Sequence, residues 1–127
     1  MKGYVDEFGQ PKMEIILIGE SKRLTTEAVI DTGFNGELSI PVNMAIELGL
    51  KLIALEKVEL ADGCQRNEMV FSGKILWEKL ERDVNIFVTY AGEPLIGTML
   101  LGGQDINISF HKKTVSMRYR SDHPMNG

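Results

Sequence analysis

One cysteine, Cys64, is all that the 127 residues carry, so no disulfide can form within the chain and a reducing compartment suits it. Histidines number two, His111 and His123, and they stand far from Cys64 and from each other. No metal-ligand spacing of recognisable form results, so no metal site is expected. Basic charge is also in short supply, with 14 Lys and Arg against 18 Asp and Glu, a net charge of -4. A nucleic-acid partner calls for a basic excess that neutralises phosphate, so none is expected. No apolar run approaches the length that crosses a bilayer, and residues 1–10 mix Lys2, Asp6 and Glu7 without an apolar leader core. These features predict a cytoplasmic protein with no membrane partner.

What is present is ordinary for a folded domain: 43% hydrophobic and 25% charged residues. A chain of this size buries about two thirds of the surface that its unfolded form exposes. One domain is expected over residues 1–120, with 121–127 as a flexible C-terminal tail.

The pattern along the chain is mainly β. Residues 13–18 are an Ile-rich run between Gln10-Pro11 and Gly19, and Ala28-Val29-Ile30 is a second run that stops at Asp31-Thr32-Gly33. Residues 37–40 alternate before Pro41. A short helix is expected between Pro41 and Gly49, with Val42, Ala45, Ile46 and Leu48 as its apolar face. Asp62-Gly63 is a tight-turn dipeptide, and the flanking stretches 58–61 and 68–77 predict a hairpin. Residues 78–83 intersperse both charge signs and read as a solvated connection. Residues 84–90 alternate as a strand, 91–94 read as a turn, and Leu95-Ile96-Gly97 steps into a brief helix over 98–101. Ile106, Ile108 and Phe110, then Val115, Met117 and Tyr119, predict a closing hairpin through His111-Lys112-Lys113. Short strands with one or two brief helices define a mainly β barrel or sandwich.

Chemistry concentrates at Asp31. Three apolar strand residues precede it and a glycine follows, so the acid is held at a strand end, where its charge requires hydrogen-bond donors such as those of Thr32 and Gly33. The plainer reading of the tripeptide is an Asx-type turn. Cys64 lacks a neighbouring base to activate it. His111 reads as a solvated turn residue, His123 as part of the tail, and Trp77 and the methionines as packing.

Asp31-Thr32-Gly33 after a strand resembles the active-site signature of aspartic proteases, and Leu95-Ile96-Gly97 resembles their later apolar-apolar-Gly motif. The order also resembles one retropepsin lobe, with Ala61-Asp62-Gly63 where the tip of the substrate-covering flap belongs. Gly33-Phe34-Asn35-Gly36 and Leu38-Ser39-Ile40-Pro41 are similar to the small prokaryotic retropepsin-like proteins. The resemblance implies a single-lobe acid protease barrel with a flap hairpin and one or two short helices. It implies a homodimer in which Asp31 and its mate form a catalytic dyad that hydrolyses a protein or peptide substrate with no metal or organic cofactor. It further implies that Thr32 bonds across the dimer and that Gly33 lets substrate backbone approach. Two positions depart from the pattern: Phe34 stands where Ala or Ser follows the triplet, and Thr98 where retroviral enzymes carry an Arg that helps hold the dimer. The rival reading is therefore a retropepsin-fold module that dimerises or binds extended peptide without cutting it.

Overall fold

Alternation of burial builds the strands. In β2 (Pro11–Ile18) Met13, Ile15 and Leu17 are buried while Glu14 faces solvent, the period-2 signature of a half-buried strand. The computed structural model describes residues 1–59, 62–89 and 92–120. β1 (Lys2–Val5) precedes β2, and β3 (Arg23–Ile30) follows it. β4 (Leu38–Pro41) runs into α1 (Val42–Leu48), and β5 (Lys51–Glu59) and β6 (Gln65–Trp77) make a long hairpin. β7 (Leu80–Thr89), β8 (Leu95–Ile96), α2 (Thr98–Leu101), β9 (Gln104–Ser109) and β10 (Thr114–Tyr119) complete the order.

The chain folds into a closed β barrel. The sheet runs β5-β6-β7-β4-β8-β3-β2-β1-β10-β9, and a second pairing of β6 with β2 closes six of these strands into the barrel. Closure removes the free edges that an open sheet would leave within the ring. β1, β10 and β9 continue beyond β2, and β5 hangs outside the ring on β6. Two pairings are parallel, β3 with β8 and β4 with β7. Leu17, Ala28, Leu38, Ile40, Leu48, Ile75, Ile96 and Leu100 are fully enclosed in the core. Each large aliphatic chain among them stabilises the fold by about 1.5–3 kcal/mol through loss of water contact. Gly49 ends α1 in the left-handed conformation, φ 69°, where its N–H reaches the carbonyls of Ala45 and Ile46.

Several expectations change in detail. Residues 78–83 are not a connection: β6 runs to Trp77, Glu78 and Lys79 turn with positive φ, and Leu80 already pairs with Trp77. Glu81, Arg82 and Asp83 do face solvent, but from β7, where Arg23 meets Glu81 and Arg82 meets Glu37. Ile46 lies off the buried stripe of α1, which Ala45 and Leu48 supply, and is 74% exposed. Phe110 falls past the end of β9 and is exposed, and β1 was not foreseen. β5 begins at Lys51 rather than 58, because exposed Leu52, Ile53 and Leu55 and a register shift between Leu52 and Ala54 break the alternation. The expected tail, 121–127, lies outside the described residues.

Candidate active site

The acid loop follows from strand pairing. Val29 and Ile30 lie beside Leu95 and Ile96 in the parallel β3–β8 pair, which carries Asp31 to the end of β3. The Asp31 N–H donates to the Ile96 carbonyl at 2.9 Å, and the Val29 N–H to the Pro94 carbonyl at 2.9 Å. The two sequence motifs are thus brought together by backbone.

Within the loop, the Gly33 N–H donates to Asp31 Oδ1 at 2.9 Å and the Phe34 N–H to the Asp31 carbonyl at 3.2 Å. Asp31 is half-buried, while Thr32 and Gly33 are exposed. Both readings of the tripeptide meet in this geometry, since the carboxylate does close an Asx turn and also stands at a strand end on the surface of a barrel.

The second motif clasps the far side of the loop. The Gly97 N–H donates to the Glu37 carbonyl at 2.9 Å, the Thr98 N–H to the Phe34 carbonyl at 2.8 Å, and the Met99 N–H to the Gly36 carbonyl at 3.1 Å. Thr98 Oγ1 also lies 3.4 Å from the Phe34 carbonyl, so its hydroxyl turns back onto its own loop. The Phe34 ring packs edge-on against Phe87, centroids 5.9 Å apart. That ring fits because Gly36 and Gly97 lack Cβ atoms: one at Gly36 would lie 2.6 Å from Phe34 Cζ.

A cleft of about 660 Å³ opens between this loop and the β5–β6 hairpin. Gly33 to Gly36, Ser39, Phe87 and Leu95 form one side, and Glu56 and Glu68 reach it from the hairpin. Cleft residues on β5, β6 and β7 were missed by sequence reasoning. Only cross-strand register assembles them, and no local motif marks them.

Of the expected flap tip, Asp62 and Gly63 lie in the turn between β5 and β6, whereas Ala61 falls outside the described residues. Asp62 Oδ1 accepts the Cys64 N–H at 2.9 Å, and this bond, first among its causes, holds the Asp62 carboxyl below the usual carboxylate range. Among the described residues, no three His, Cys, Asp or Glu side chains converge as a metal site requires.

No protein-family model matches the sequence, and no curated protein does. The solved structures do provide a likeness: a retropepsin-like aspartic protease from Rickettsia conorii superposes with a TM-score of 0.68. The similarity covers 94% of this chain and 89% of that one at 16% sequence identity, a level that establishes the shared fold. The closed barrel with its two short helices is thus of retropepsin-like architecture.

Proposed function

We propose that the protein is an aspartic endopeptidase whose dyad is Asp31 and Asp31 of a second, identical subunit. The observation that carries this reading is the placement of Asp31. It ends a barrel strand beside the second motif, in a fold similar to that of a retropepsin-like aspartic protease, and the loop that it opens, Gly33 to Gly36, lines a cleft under a hairpin.

One chain supplies one such carboxylate, and two-fold pairing is the simplest completion of a dyad. Two adjacent carboxylates do not both ionise cheaply, so they share a proton. The ionised member takes a proton from water as the water oxygen bonds to the scissile carbonyl carbon. The protonated member donates to the carbonyl oxygen, and the amine leaves with a proton as the C–N bond breaks. Thr32 ties the two loops across the dimer, and the hairpin closes over the bound peptide.

A second reading has its own support. Phe34 has no hydroxyl to offer the carboxylate, and Thr98 bonds inward to the Phe34 carbonyl instead of reaching across a subunit boundary. On that reading the cleft holds extended peptide without cutting it.

Asp31→Asn separates the two. The amide oxygen can still accept the Gly33 N–H, so the fold and the dimer persist while peptide hydrolysis is lost. A variant that cleaves a mixed peptide library as fast as its parent reduces Asp31 to a turn residue. A parent that binds peptides and never cleaves them favours the second reading. Sedimentation at the assay concentration adds a further check, because cleavage by a strictly monomeric species sinks the dyad.

A further inference from the structure

The two sides of the cleft differ in chemistry. Phe34, Phe87 and Leu95 make one side largely apolar, whereas the hairpin side carries the carboxylates of Glu56 and Glu68. These two are directly paired across the β5–β6 ladder, Glu56 with Glu68, and therefore project from the same face of the hairpin. It is the face that continues inward to Val70, which is buried and pairs with Phe87 of β7. Like charges set directly opposite one another destabilise a strand pair. The hairpin therefore carries a cost at the point where it roofs the cleft, and a cation bound there would remove it.

The charges are not equally engaged. Glu68 is ion-paired to Arg66, two residues along its own strand, and its side chain is only 16% exposed. Glu56 is exposed and forms no ion pair among the described residues. The uncompensated charge over the cleft is that of Glu56, with Glu68 held behind it by Arg66.

We propose that Glu56 makes this cleft select peptides carrying a Lys or Arg side chain under the hairpin, with an apolar neighbour seated on Phe34 and Phe87. This specificity rests on reading the cleft as the peptide site. A guanidinium or ammonium between the strands satisfies Glu56 and relieves its repulsion with Glu68, while an acidic side chain there meets like charge. The apolar ring pair takes the flanking side chain, because side chains of an extended peptide alternate in direction.

The test uses paired peptides, identical except for Lys, Gln or Glu at one position scanned along the chain. Cleavage is followed in the parent protein, and binding by fluorescence anisotropy in Asp31→Asn. The Lys peptide is expected to exceed its Gln twin by about fivefold at one or two positions, the scale of a single partly screened ion pair. That ratio should shrink in added salt. Glu56→Gln should bring it toward one, and Arg66→Gln, which frees Glu68, should enlarge it.

Cleavage or binding without a Lys preference, or a preference that Glu56→Gln leaves intact, overturns the proposal and leaves the protease reading standing. A Lys preference in binding that Glu56→Gln removes, in a protein that cleaves nothing, supports the specificity while sinking the protease reading. If no peptide is cut or bound, both fall. Folding of each variant is checked by its thermal transition, and Glu56→Asp, which keeps the charge, should retain the preference where Glu56→Gln loses it.

Discussion

Gly97 lies against the carbonyl of Gly36 so closely that a Cβ at position 97 would stand 2.1 Å from that oxygen. The contact is backbone on backbone, so no side-chain rotation can relieve it. It joins the second motif to the acid loop, next to the Thr98 and Met99 N–H bonds to the Phe34 and Gly36 carbonyls.

Gly97→Ala should therefore be costly. Forcing a methyl into this packing costs about 1–3 kcal/mol, a fall in Tm on the order of 10 °C. Gly102→Ala is the control, because a Cβ there meets nothing within 4 Å. Thermal melts of the two variants that coincide would show that the loop and motif are not clasped in this way.

Phe34 and Gly36 should be coupled. Phe34→Ala removes a ring set edge-on to Phe87 and is expected to cost about 1–3 kcal/mol. Gly36→Ala clashes with that same ring, so it should destabilise the parent more than it destabilises the Phe34→Ala background. Additive denaturation free energies would refute the shared packing.

Acid stability should carry a contribution from Asp6. Its carboxyl is held below the usual range, first by the Gln10 N–H and then by Lys12 and the Phe8 N–H. A depressed folded pKa means that the stabilisation is present above the ordinary value of 3.8 and is lost as pH falls through the folded value. Asp6→Asn should flatten the fall in Tm below that pH. Lys12 sits 3.0 Å from Asp6 and 2.7 Å from Glu93, and its pKa is raised mainly by Glu93, so its contribution persists through neutral pH and is lost only in strong alkali. Equal acid slopes for parent and Asp6→Asn would count against the Asp6 assignment.

Hydrogen exchange should divide the chain. Val29 and Ile30 donate into, or lie within, the closed barrel, whereas Gly63 and Cys64 are in an exposed turn at the end of a hairpin whose outer strand is a sheet edge. Amides 63–65 are expected to exchange far faster than those of Val29 and Ile30. Equal protection would argue against a hairpin that opens to admit substrate.

Local signals made much of this protein legible. The strand-then-acid pattern at residues 28–33, the Pro41 to Gly49 helix, Asp62-Gly63 and the Leu95-Ile96-Gly97 step are each encoded by neighbours in sequence. Hydrophobic period, turn chemistry and helix ends act over a few residues. The same locality explains the errors, since mixed charges at 78–83 look like a loop until the register places all but Glu78 and Lys79 on β7.

The cleft could not be read in this way. Glu56 meets Glu68 only because β5 and β6 pair in that register, and Phe34 meets Phe87 only because β4 runs parallel to β7 beside the acid loop. The sequence by itself determined where the acid stands along its strand and which glycines can turn beside it, because backbone preference and hydrophobic period are properties of adjacent residues. Tertiary structure alone decided what lines the cleft beside the acid loop, because ladder register and barrel closure bring together side chains that no spacing in the chain connects.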